Sequence, residues 1–418
     1  MKMSFTGGTL DGILSPPPSK SHTHRAVFLA SMAKGRSTIS NPLMSEDILS
    51  TIRASESMGS LIRPENGKLI IDGGNLHTPM ETIDAGNSGT TLRIFSGLAS
   101  MFDSPVSITG DSSLQKRPMK PLLNALTQMG VMCSSNDGRA PVEIKGCARG
   151  GKVSIGGSMS SQFITSLMMV SPMLENDTEI TIDGEVVSRP YLEVTASMMR
   201  KFGATVSEEG NILRIKGNTG YQPHDYSVPA DFSSAAFPLV AGAIGGSVTV
   251  TDLNLDDPQG DRRILDILRS AGVSIHIGHA ITVKKSRLIG LDLSIGDVPD
   301  LFPILAVLFS TAEGTTRLHG APQLRFKESD RIETTVKMLK NIGADIEGTD
   351  DGCIIHGKER LTGGKIENEG DHRIMMAAAV ASLMCDGPVI MDNAECCSIS
   401  YPTFIEDLKS IGLTAEEL

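Results

Sequence analysis

The sequence predicts an α/β protein of two domains, each built from three copies of one βαβαββ unit. Three observations carry this. At 418 residues the chain is longer than one ordinary core serves, so two domains are expected. Six segments close a helical pattern on a glycine and then resume as strand, at Gly59, Gly130, Gly203, Gly272, Gly343 and Gly412. Their spacings of 71, 73, 69, 71 and 69 residues are those of a repeat architecture. Finally, a second, apolar helix lies upstream of each glycine, entered from a strand through a polar loop.

The copies follow in chain order, each with its inner helix first and its glycine-closed helix second. They are "PPPSKSHTHRAVFLASMA" with "SESMGSLIRPENGKLIIDG", "IDAGNSGTTLRIFSGLAS" with "ALTQMGVMCSSNDGRAPVEIKG", and "IGGSMSSQFITSLMMVS" with "SMMRKFGATVSEEGNILRIKG". Then come "VPADFSSAAFPLVAGAI" with "ILRSAGVSIHIGHAITVKK", "GDVPDLFPILAVLFSTA" with "MLKNIGADIEGTDDGCIIHG", and "ENEGDHRIMMAAAVASLM" with "DLKSIGLTAEEL". Each glycine suits a helix C-terminus, where a left-handed residue closes the last turn. A polar turn between two short strands follows it. The sixth copy runs out at Leu418 before its last strands, and the strand-like "MSFTGGTLDGILS" supplies the missing piece. The chain then begins and ends in one domain: residues 14–228 form the first, and 1–13 with 229–418 the second. Crossings are expected near Leu14 to Lys20 and Tyr226 to Ala230, both proline-containing, which suits ordered hinges.

Composition narrows the function. A hydrophobic content of 40% with 21% charged residues is that of a globular protein. With no Trp, four Tyr and 21 Met, the cores must be aliphatic and Met-rich. The formal charge of −11 argues against a general binder of nucleic acid or anionic membrane. Six cysteines without CxxC spacing suit a reduced cytosol. The start has no signal-peptide core and no apolar run reaches bilayer length, so a cytoplasmic protein is expected.

Chemistry gathers at the helix entries, where free N–H groups favour anions. These entries hold Lys20, Ser21 and Arg25; Asn87, Gly89, Thr90 and Arg93; Arg117; Ser160, Ser161 and Gln162; Ser188, Arg189 and Tyr191. The later copies add Asp300; Lys327, Glu328 and Arg331; and Asp371, His372 and Arg373. Taken singly, most read as helix caps or turns, Asp300 above all, and His372 reads as a capping or packing histidine. Together, the cations Lys20, Arg25, Arg117, Lys327, Arg331 and Arg373 occupy corresponding points of related units. Convergence of these cations on a cleft between the domains would suit a small, multiply anionic substrate, held through phosphate or carboxylate. From "RFKESDRIE" onward, Ile332, Val336, Leu339 and Gly343 follow a helix's core face. Glu328, one turn before Ile332, falls on that inward side, while Asp330, Glu333, Lys337 and Lys340 face solvent. An acid turned into a cationic pocket is suited to moving protons. There is no metal-ligand spacing, P-loop or serine-hydrolase elbow.

These motifs resemble, end to end, the 5-enolpyruvylshikimate-3-phosphate synthase family, the 3-phosphoshikimate 1-carboxyvinyltransferases. "DAGNSGTTLR" and "RFKESDRIE" match its two signatures, and "SKSHTHR", "SSQF", "SRPY" and "DHR" fall in the family's order. The resemblance implies the enolpyruvyl transferase-like, inside-out α/β barrel fold. It implies transfer of the enolpyruvyl group of phosphoenolpyruvate to the 5-hydroxyl of shikimate 3-phosphate, by addition and elimination, with release of phosphate. It further implies a step of aromatic amino acid biosynthesis needing no metal or organic cofactor. The partners it implies are these two small molecules, with no nucleic acid or membrane, in a monomer. Lys20, Ser21, Arg25, Ser160, Ser161, Gln162, Ser188, Tyr191, Asp300, Gln323 and Lys327 would hold shikimate 3-phosphate. Lys20, Gly89, Arg117, Gln162, Arg331 and Arg373 would hold phosphoenolpyruvate. Asp300 would take the hydroxyl proton, Glu328 would protonate the methylene carbon, and Lys20 would assist.

Three positions depart from the family pattern: Ile399 replaces a lysine, Gln323 an asparagine, and Ile94 a proline. Glyphosate, which occupies the phosphoenolpyruvate subsite in the family, is expected to inhibit, since Gly89 leaves it room. Two rival readings fit parts of this pattern. The enolpyruvyl transferase acting on UDP-N-acetylglucosamine shares the repeat but matches "SKSHTHR" and "DHR" poorly. A clamp-like repeat protein around DNA would carry its cations along helix faces, not at helix starts.

Overall fold

Hydrophobic patterning separates two kinds of element. In Arg139–Lys145 every second residue is buried, so one face of the strand packs and the other meets solvent. Phe232–Gly245, Phe302–Phe309 and His372–Ala381 are buried along their whole length, and a helix apolar all round has to be enclosed by other elements. The second helix of each copy is one-sided instead. Arg331–Asn341 buries Ile332, Thr335 and Leu339 while Glu333, Lys337 and Lys340 stay exposed.

The computed structural model describes all residues, Met1–Leu418. They form two units, one of Lys20–Val228 and a split one of Met1–Ser19 with Pro229–Leu418. Each contains three four-stranded sheets. In the third copy, Gly151–Gly156 runs parallel to Thr178–Asp183 across the helix Ser161–Val170. Ile212–Ile215 and Val206–Glu209 then add antiparallel. A parallel pair needs such a crossover, while the last two strands need only a turn. The six repeat glycines all have positive φ, from 88° to 115°. At Gly412 a Cβ would also come within 2.4 Å of the Thr9 carbonyl oxygen, so glycine is required there twice over.

Closure of each unit differs from the sequence reading in detail. The first copy takes its opening strand, Tyr226–Ser227, from the far end of its own unit, pairing it parallel to Gly35–Ser40. The N-terminal segment, assigned whole to the sixth copy, divides. Met3–Gly7 lies antiparallel to Val389–Met391 and Thr414–Glu417, completing the sixth sheet. Leu10–Leu14 runs parallel to Gly246–Val250 and opens the fourth.

The first domain boundary moves from residue 14 to Ser19/Lys20, and the second stays at Val228/Pro229. The reason is backbone pairing. Leu14 ends a strand of the split unit, and the prolines after it remain there: Ser19 N–H donates to Pro229 O at 2.8 Å and Asp231 N–H to Pro17 O at 2.9 Å. No helix is long and apolar enough to cross a membrane.

Candidate active site

In the split unit the starts of three helices carry carboxylates, and Arg331 gathers them. Asp371 caps His372–Ala381, accepting from the Arg373 amide at 2.9 Å. Asp300 lies within the short turn Pro299–Leu301, just ahead of the helix Phe302–Phe309. Arg331, fully buried, donates Nε to Asp371 at 2.9 Å, Nη1 to Asp300 at 2.9 Å and Nη2 to Glu328 at 2.5 Å. Ser329 Oγ adds a bond to Asp371 at 3.1 Å. Arg373 Nη2 stands 3.3 Å from the other Asp300 oxygen, Oδ2, and Lys327 Nζ lies 3.7 Å from Oδ1.

This packing sets the charges. Burial opposes ionisation of Asp300, yet Arg373, Lys327 and Arg331 together outweigh it and hold the carboxyl well below its usual range. Burial likewise opposes the charge on Arg331, but Asp371, Glu328 and Asp300 raise its pKa further above the ordinary value. Burial lowers that of Lys327, with Asp300 resisting.

The Lys20–Val228 unit carries the second set. Lys20 opens the helix Lys20–Met32, and its Nζ pairs with Asp47 at 3.0 Å. Arg25, one turn on, is 3% exposed. It donates Nε to Thr195 Oγ1 at 2.8 Å and Nη1 to the Ser21 carbonyl at 2.9 Å, and lies 6.0 Å from the Tyr191 ring centre. Burial pushes Arg25 down to about 10, against Tyr191 and Tyr226. Ser88 and Ser160 cap Gly89–Ala99 and Ser161–Val170. Gln162 accepts from Arg93 Nη1 at 2.5 Å and donates to Thr90 Oγ1 at 3.1 Å, and Arg117 Nη2 donates to Asn87 Oδ1 at 2.7 Å. A Cβ on Gly89 would stand 3.1 Å from Arg117 Nη1 and 3.3 Å from Arg93 Nη1. Ser188 is buried in left-handed backbone at φ 57°.

The structure thus joins Asp300, Lys327, Glu328, Arg331 and Arg373 in one cluster, and Arg25, Ser21 and Tyr191 in another. Some expectations need correction. Glu328 sits before the Asp330 cap, not on the helix stripe, and Asp330 is itself that cap, accepting from the Glu333 amide at 3.0 Å and pairing with Arg325 at 2.8 Å. The split-unit cluster has no surplus of cations: Asp300, Glu328 and Asp371 match Lys327, Arg331 and Arg373. Gln323 is buried and gives its amide N–H to Gly296 O at 3.0 Å. Ile399 packs against the core. The sequence reading named Asp371 among the helix entries without giving it a substrate, and passed over Asp47, Thr165 and Thr195.

Comparison with known proteins agrees over the whole chain. Residues 5–408 match the family EPSP synthase (3-phosphoshikimate 1-carboxyvinyltransferase). The 3-phosphoshikimate 1-carboxyvinyltransferase of Methanocorpusculum labreanum is 44% identical, with both chains covered fully. That of Methanocaldococcus jannaschii is 42% identical over 97% of each chain. A solved EPSP synthase from Acinetobacter baumannii superposes with a TM-score of 0.83 at 32% identity, covering 100% of this chain and 99% of its own. The chain belongs to the EPSP synthase family.

Proposed function

We propose that this chain transfers the carboxyvinyl group of phosphoenolpyruvate to the 5-hydroxyl of shikimate 3-phosphate. The observation that carries the mechanism is Asp300 held by Arg331, Arg373 and Lys327. In that state Asp300 is too weak a base to take a hydroxyl proton. Phosphoenolpyruvate brings a carboxylate and a phosphate that compete for the same guanidinium groups. As the ligand draws on Arg331 and Arg373, the pull on Asp300 falls and its basicity rises. The base is therefore switched on by the substrate it serves.

The steps balance as follows. The 5-oxygen attacks C2 of phosphoenolpyruvate as its proton passes to Asp300, and Glu328 delivers a proton to C3. The C2–O bond to phosphate then breaks while C3 gives a proton back to Glu328, and the proton on Asp300 leaves with phosphate. Lys20, beside Asp47, Arg117 and Lys327 neutralise charge on the anions. Arg25, anchored by two threonines, and Ser160, Ser161 and Ser188 serve shikimate 3-phosphate. Positioning two anions side by side supplies much of the rate.

Gly89→Ala tests the narrow subsite. The added methyl presses on Arg117 and Arg93, so KM for phosphoenolpyruvate rises roughly tenfold while KM for shikimate 3-phosphate holds. The function itself is tested by phosphate release from phosphoenolpyruvate with each acceptor. Release that depends on shikimate 3-phosphate supports the proposal. Release only with UDP-N-acetylglucosamine assigns the sister reaction instead.

A further inference from the structure

Arg373 pairs with Asp300, and its charge reaches further carboxyl groups. Besides Asp300, it acts on Asp231 and Asp261. Asp231 has a structural task, capping Phe232–Gly245 with bonds from the Ser234 amide at 3.2 Å and Ser234 Oγ at 2.8 Å. Asp261 has none of that kind. It lies in the turn Gly260–Arg263 and is 2% exposed. Oδ2 accepts from Ser233 Oγ, and Oδ1 has no hydrogen-bond partner.

Gln259 latches this turn onto the helix start, accepting from the Phe232 amide at 2.8 Å and donating to Ala230 O at 2.9 Å. The neighbouring Arg262 and Arg263 are spent elsewhere, on the carbonyls of Leu255 and Ser294, and Asp266 pairs with Arg269. The charged groups that act most strongly on Asp261 are Asp300, Arg373 and Asp231. A carboxylate with a bare buried oxygen is costly, so the neutral acid is favoured. Burial first, then the charge on Asp300, push Asp261 up to about 7, while Arg373 and the Ser233 bond pull the other way.

We infer that Asp261 is a positioning residue that sets how strongly Arg373 holds an anion. Neutral, it leaves the guanidinium charge to the ligand; ionised, it takes up part of that charge. This rests on the reading that Arg373 holds phosphoenolpyruvate.

The test measures kcat and both KM values from about pH 6 to about pH 9 in the wild type, Asp261→Asn and Ser233→Ala. In the wild type, KM for phosphoenolpyruvate rises several-fold as pH passes about 7, and KM for shikimate 3-phosphate changes less. Asp261→Asn keeps the low-pH KM throughout. Ser233→Ala moves the rise to higher pH, because the serine bond favours the carboxylate. Ionisation of the substrate is common to all three proteins. An Asp261→Asn profile that tracks the wild type overturns the inference.

Melting without substrate gives an independent reading. A carboxyl raised from 3.8 to about 7 in the fold contributes stability that is full below 3.8 and lost as pH rises through 7. The wild-type melting temperature should fall relative to Asp261→Asn across that window. Parallel curves overturn this inference alone, whereas loss of turnover with shikimate 3-phosphate at every pH overturns the functional reading and the inference with it.

Discussion

Asp300→Asn lowers kcat by roughly 10²–10⁴-fold without raising KM for phosphoenolpyruvate. Asparagine keeps the size of the side chain and one oxygen to receive Arg331 or Arg373, so the turn Pro299–Leu301 keeps its shape. What it removes is the negative charge that can accept the hydroxyl proton. The same change frees the two guanidinium groups from their carboxylate, so anion binding holds or tightens. Steady-state kinetics separate these effects. A kcat within about threefold of wild type would remove Asp300 from the chemistry. The acid limb of the wild-type profile should not come from Asp300 in the free enzyme. Although burial opposes it, the field of Arg373, Lys327 and Arg331 keeps that group ionised through mildly acidic pH.

Arg331→Met destabilises the split unit by about 3–5 kcal/mol and abolishes measurable turnover. The guanidinium is fully buried and serves three carboxylates at once. Asp371 is also fully buried, so it would lose the cation that compensates its charge in a place water does not reach. The size of the loss comes from that uncompensated charge rather than from the net worth of the ion pairs. Melting should drop by on the order of 10 °C. Arg331→Lys should recover part of this, since an ammonium restores the charge but not the three-way fork. A variant that melts with the wild type would show that the cluster is not held together by Arg331.

The repeat was legible because glycine leaves a mark that propensity does not. Six positions needing positive φ recur at near-constant spacing, and all six have it. Which strand closes which sheet was not legible. "MSFTGGTLDGILS" reads as strand completing one copy, but its halves join different sheets, and only tertiary pairing decides that. At the site, Arg331 and Asp300 were visible as residue types in suggestive places. Their mutual saturation was not, because a sequence shows cations and acids without showing how closely they meet. Asp47 and Asp261 were invisible for a related reason: each looks like an ordinary acid near a helix start, and burial alone sets them apart.

The central claim is addition followed by elimination, with a proton delivered to C3. Running the reaction in D2O and weighing the product by mass spectrometry tests it most directly. Addition turns the methylene into a methyl group carrying one solvent deuteron, and elimination then removes any one of its three hydrogens. The proposal predicts deuterium in the product's vinyl methylene. Full turnover with a vinyl group free of deuterium would contradict it, because the carbon would never have been protonated.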